Sequence, residues 1–173
     1  MSQAQTRVLS TPELLEAILA HLPPSSLLQA QRISCTFQSV IQTSPTLQQA
    51  LYLRPARPKP SGDWTINPLL RDCFLPWLVI AEDRWEMPSY EALEMLDWVK
   101  NEKRREAMLH ADASWRKMFL IQPPPKTLTI LRFCHSRGGD YISNGEVSFA
   151  DEEQAAVTMG ALYDIPHSFL RCE

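Results

Sequence analysis

Glycine is scarce, five in 173 residues, and that leaves few of the backbone-cradling turns with which nucleotide sites wrap phosphate. No phosphate loop, dinucleotide fingerprint, metalloprotease helix or nucleophile elbow occurs in the chain. Cysteine is as sparse: Cys35, Cys73, Cys134 and Cys172 are scattered with no close pair, so free thiols are expected in place of a disulfide framework. The longest apolar runs, such as Phe74 to Ala81, are far short of a bilayer span and are broken by Pro76. A basic excess is missing too, since 17 Lys and Arg stand against 20 Asp and Glu for a net charge of −3, and nothing invites a nucleic-acid backbone. The one basic run, Lys103-Arg104-Arg105, lies between Glu102 and Glu106 on an expected helix and reads as a solvated face. No repeat of twenty to fifty residues is present. Met1 to Arg7 is short and polar, so no secretory leader is expected and the cytoplasm or nucleus is the expected compartment.

What the chain does have is a Leu-rich N-terminal stretch, Val8 to Leu53, within a first unit of residues 1–53. Ser10 stands three residues before Glu13, the spacing of a reciprocal capping box, with Leu9 and Leu14 at the staple positions. Leu14, Leu15, Ile18, Leu19 and Leu22 recur at helical spacing as one broad apolar stripe, which Pro23-Pro24 stops. A second box, Ser26 with Gln29, predicts a helix bearing Leu27, Leu28, Ala30 and Ile33 and continuing through Phe37, Val40 and Ile41 to Thr43. Ser44-Pro45 opens a last helix to Leu53. A segment this short is expected to lack a private core, and its apolar surplus marks a candidate docking surface.

Composition then changes abruptly. Residues 54–63 form a linker rich in proline and basic side chains, with prolines at 55, 58 and 60, and repeated proline predicts an extended spacer. From 64 to 173 the signals describe a mostly helical unit with a small β element. Asn67-Pro68 opens a helix carrying Leu69, Leu70 and Phe74; Ser89 caps one running to about Asn101; Ser114 starts a turn that ends before Pro123-Pro124-Pro125. Lys126 to Cys134 has the alternation and β-branched content of a strand. Arg137 to Asp140 and Asn144-Gly145 read as turns, and Asp151 as the cap of a final helix ended by Ile165-Pro166. All five tryptophans lie after the linker. Most are expected in the core, with Trp85, between Arg84 and Glu86, as the candidate partner contact.

Two clusters could be drawn as chemistry. Cys134-His135 with Asp140 suggests a nucleophile and base, but adjacent strand residues point to opposite faces. Cys134, His135, His167 and Cys172 match no structural zinc spacing. No catalytic residue, cofactor or metal is therefore expected, and the fold class is mainly α.

The N-terminal stretch resembles the F-box in the wording of short fungal F-box proteins. The correspondence is gap-free through Thr11-Pro12-Glu13-Leu14-Leu15-Glu16, Ile18-Leu19, Leu22-Pro23, Leu27-Leu28, Ala30-Gln31-Arg32-Ile33, Cys35, Phe37, Ile41, Ser44-Pro45 and Leu47-Gln48, with Phe37 where tryptophan is usual. The tail also resembles that group in Asn67-Pro68-Leu69-Leu70, Ala113-Ser114-Trp115-Arg116-Lys117-Met118, Gln122-Pro123-Pro124 and Met159-Gly160-Ala161-Leu162-Tyr163-Asp164. The resemblance implies a three-helix module that binds the Skp-type adaptor of a cullin-RING (SCF-type) ubiquitin ligase, with the C-terminal unit choosing the protein to be ubiquitylated and degraded. The chain would be a substrate receptor and not an enzyme. Candidate adaptor contacts are Leu15, Ile18, Leu19, Leu22, Leu27, Leu28, Ile33 and Phe37, on the physics of apolar anchors entering a preformed groove. The alternatives are an adaptor-binding interaction protein with no ligase role, and a small enzyme of unrecognised type.

Overall fold

Proline and short polar caps divide the chain into short helices. The computed structural model describes residues 7, 9–58, 60–75, 77–78, 91–134, 137–149 and 156–170. Helix α1 spans Pro12–Leu19, α2 Pro24–Ala30, α3 Cys35–Thr43 and α4 Pro45–Ala50. After the linker come β1 (Thr65–Ile66), α5 (Pro68–Cys73), α6 (Glu91–Glu94), α7 (Glu102–Leu109), α8 (Ser114–Lys117), β2 (Ile121–Gln122), β3 (Thr127–Cys134), β4 (Tyr141–Ser148) and α9 (Met159–Leu170). Among the described residues the molecule is mainly helical, with two small antiparallel sheets, β1–β2 and β3–β4.

Proline at the first helical turn starts α1, α2, α4 and α5, where its missing N–H has no intrahelical partner to lose. Side-chain caps add to the punctuation. Ser34 accepts from the Phe37 N–H at 3.3 Å, Ser44 from Leu47 at 3.1 Å, and Asn67 Oδ1 from Leu69 at 3.0 Å. The expected boxes at Ser10 and Ser26 do not form. Helical backbone already precedes α1, so the Ser10 and Thr11 hydroxyls both donate to the Arg7 carbonyl. Ser26 falls inside a helix that Pro23-Pro24 has begun. The single helix expected from Ser26 to Thr43 is two, because the chain turns at Gln31–Ile33 and Ser34 restarts it.

The N-terminal helices do have a core of their own, contrary to expectation. Leu15, Leu19, Leu27, Ala30, Val40, Ile41, Leu47 and Leu51 bury one another. The C-terminal core is aromatic: Phe74, fully buried, has the rings of Trp115, Trp98, Trp77 and Tyr163 around it at centroid distances of 4.9, 5.9, 6.2 and 6.2 Å. Two of the buried indoles donate to backbone, Trp98 to the Cys73 carbonyl and Trp115 to the Met108 carbonyl. Leu28 and Leu53 pack against both cores, so the two halves share a wall.

The helix expected from Ser89 to about Asn101 is helical only at α6 among the described residues, and Asn101 instead caps α7. Asn144-Gly145 is not a turn: it lies in β4 opposite Leu131 and Ile130, and Arg137 to Asp140 makes the reversal. α9 continues through Pro166, which forgoes one N–H bond without ending the turns on either side. The expected cap Asp151 lies outside the described residues.

Candidate functional site

The apolar surplus of the N-terminal helices divides cleanly by face. Along α1, Leu15 and Leu19 point inward and are essentially fully buried, while Leu14 and Ile18, also four residues apart, are 48% and 49% exposed. Leu22 is exposed in the turn after α1, and Ile33, 67% exposed, projects from the turn between α2 and α3. On α2, Leu27 is sealed in the core and Leu28 is half-buried. Phe37, one turn into α3, is half-buried and leans on the same core.

The eight candidate residues therefore separate into three kinds. Leu15, Leu19 and Leu27 are internal and cannot reach a partner without the helices coming apart. Leu28 and Phe37 are shared between core and surface. Ile18, Leu22 and Ile33 are uncovered. Leu14, left out of the candidate set, belongs with them. Its signal was available in the sequence, since it lies four residues before Ile18 on one edge of the stripe.

This surface is braced from below. Ser44, almost fully buried, accepts the Leu47 N–H and donates its hydroxyl to Glu16 Oε1 at 2.5 Å, tying α1 to the α3–α4 junction. Gln48 Nε2 donates to the Ile41 carbonyl at 2.8 Å. These bonds hold α1, α3 and α4 as a unit under the exposed row.

Two residues that the sequence did not mark, Tyr52 and Gln122, join this unit to the rest, and the cap residue Asn67 braces the segment they hold. Tyr52 has φ of 59°, in the left-handed region that side chains seldom adopt. Its hydroxyl lies 3.0 Å from the Ile66 carbonyl, to which it donates, and its own carbonyl accepts the Phe119 N–H at 2.8 Å. Gln122 Nε2 donates to the carbonyls of Gln49 and Arg54, both at 3.1 Å. Asn67, fully buried, donates from Nδ2 to the Phe119 carbonyl at 3.2 Å while capping α5. The linker therefore leaves and returns to one clasp and does not hold the halves apart.

The expected chemistry-bearing clusters are incompletely placed. His135, Cys172 and the side chains of Cys134 and His167 lie outside the described residues, as does Trp85. Among the described residues no three His, Cys, Asp or Glu side chains are arranged to hold a metal, and no helix is long and apolar enough to cross a membrane. Cys73 faces solvent in part, yet desolvation of its sulfur, reinforced by Asp72 and opposed by Arg104, pushes its thiol pKa up. A raised pKa leaves less thiolate at neutral pH and makes this a poor nucleophile. Tyr163 is shifted upward as well, first by burial in the aromatic core, then by Asp164, with Arg116 opposing. Of the four described tryptophans, Trp77, Trp98 and Trp115 are core and Trp64 is 55% exposed.

Comparisons with protein-family models, with curated proteins and with solved structures find no match to this chain.

Proposed function

We propose that the chain is a substrate-receptor subunit of an SCF-type cullin-RING ubiquitin ligase, docking on the Skp-type adaptor through its N-terminal helices and on a target protein through residues 64–173. The observation that carries this reading is that Leu14 and Ile18 on α1, with Leu22 and Ile33 in the turns that follow α1 and α2, stay uncovered although the N-terminal helices have a core of their own. Such side chains are not needed for folding, and their clustering in the segment with the F-box wording suits apolar anchors entering a groove. Contact then belongs to Ile18, Leu22 and Ile33, with Leu28 and Phe37 at the margin, while Leu15, Leu19 and Leu27 act by holding the helices in place.

Copurification of the full chain with a fungal Skp-type adaptor tests the proposal. A stoichiometric complex is expected, and Ile18→Asp is expected to abolish it while leaving the thermal transition in place. A folded chain that captures no adaptor, or an Ile18→Asp variant that captures it as well as the wild type, would overturn the assignment. Cullin and a second, ubiquitylated protein in the same complex separate a ligase receptor from an adaptor-binding protein of another role.

A further inference from the structure

The segment Arg54–Pro58 shows an exposure pattern with a period of three. Leu53 and Ala56 are half-buried, whereas Arg54 and Pro55, then Arg57 and Pro58, are exposed. Three residues per turn is the repeat of the polyproline II helix, in which side chains three apart share an edge. The sequence supplies the restraint: proline fixes φ at 55 and 58, and the residue before each is steered away from helical backbone. Leu53 and Arg54 form the bend that leads in; within the run 55–58 that follows, Ala56 is half-buried while Pro55, Arg57 and Pro58 are exposed, with Arg54 exposed just before them.

The segment is also held in place. Gln49 Nε2 donates to the Pro55 carbonyl and Gln122 Nε2 to the Arg54 carbonyl, each at 3.1 Å. Neither guanidinium has an ion-pair partner among the described residues. In a chain of net charge −3, a fixed extended stretch carrying two unpaired cations beside two prolines is complementary to a definite surface. That surface has aromatic slots for the prolines and carboxylates for the arginines.

We propose that Arg54–Pro58 is a docking ligand for a polyproline-binding domain with an aromatic groove and an acidic flank, of the SH3 kind. Because its first two residues, Arg54 and Pro55, are bonded to the body and two prolines restrict the rest, less ordering entropy remains to be lost on binding. The site is independent of the apolar row on α1, so the Ile18→Asp variant should keep it.

A panel of purified SH3 and WW domains, with acidic and neutral groove flanks, provides the test against the full-length protein. Wild type is expected to bind at least one acidic-flanked SH3 domain, and Pro55→Ala with Pro58→Ala to weaken that binding about tenfold or more. Arg54→Glu with Arg57→Glu should weaken it comparably with an unchanged melting temperature, and decides the matter if the proline variant proves less stable. The proposal is overturned if no domain binds the wild type, if the arginine reversal leaves binding intact, or if the only ligand retained is an anionic polymer such as heparin.

Discussion

Asn67 shows how much a single side chain can be asked to do. It is fully buried, caps α5 through Oδ1 and reaches across to the Phe119 carbonyl through Nδ2. Asn67→Ala is expected to cost about 2–3 kcal/mol, a lost cap plus a buried acceptor left without its donor, and the urea midpoint measures it. Gly160 is constrained by space: a Cβ there would lie 2.8 Å from the Arg116 carbonyl oxygen, a backbone atom of α8. Gly160→Ala should therefore destabilise by about 1–3 kcal/mol as α9 is pushed off α8, in spite of alanine's better helix propensity. The same measurement checks it. On α1, Leu19→Asp is expected to unfold the N-terminal helices, whereas Ile18→Asp, one position away, should shift stability within about 0.5 kcal/mol. Circular dichroism melts of the two variants distinguish core from surface.

At the scale of elements, the β3–β4 hairpin and α7 stand apart. Every described residue of β4 is exposed, and among the described residues β3 and β4 pair with each other over eight residues. A two-stranded hairpin with so little support is marginal by itself, so its amides are expected to exchange with solvent long before those of α3 or α5, as hydrogen-exchange mass spectrometry would show. α7 has no buried residue and bears Lys103, Arg104 and Arg105 on its surface, in keeping with the solvated face expected for them. Some element starts were legible: Pro45, Asn67-Pro68 and Ser114 begin helices where the sequence placed them, whereas the starts at Pro12, Pro24 and Asn101 were not read. The strand at Lys126 to Cys134 was legible from its β-branched alternation and proved to be β3. Ser10 and Ser26 misled because a cap is a backbone conformation as well as a side chain, and spacing to Glu13 or Gln29 does not report whether the preceding turn is already helical. The apolar stripe of α1 was legible as a stripe, but its inner and outer edges were not. A helix flanked by neighbours on one side looks the same in sequence as one buried on both. Tyr52 and Gln122 gave no local signal, since their partners lie up to 73 residues away.

For the whole molecule, the aromatic core around Phe74 joins α5, α8 and α9, and the titration of its neighbours sets an alkaline limit. Tyr163 and Cys73 both have folded pKa values above their ordinary values of 10.0 and 9.0. The folded state then holds protons that the unfolded state has released. Their contribution is complete below the ordinary values and is lost as pH climbs through the raised ones, so stability should fall from about pH 9 upward. Urea midpoints between pH 8 and 11 are expected to show that decline, and Tyr163→Phe to make it shallower above pH 10. Phe74→Ala, which removes the ring that the others surround, should cost about 3–5 kcal/mol by the same measurement at pH 7.

The clasp formed by Tyr52, Asn67 and Gln122 gives the molecule an unusual relation to its own covalent continuity. A protease that cuts the exposed stretch 61–63 severs the chain at a point no core depends on, while the bonds from Gln122 to Gln49 and from Tyr52 to Ile66 and Phe119, with the wall at Leu28 and Leu53, stay where they were. The product is a two-piece protein that migrates as one species until denaturant is added, and its halves expressed separately should find each other by complementation.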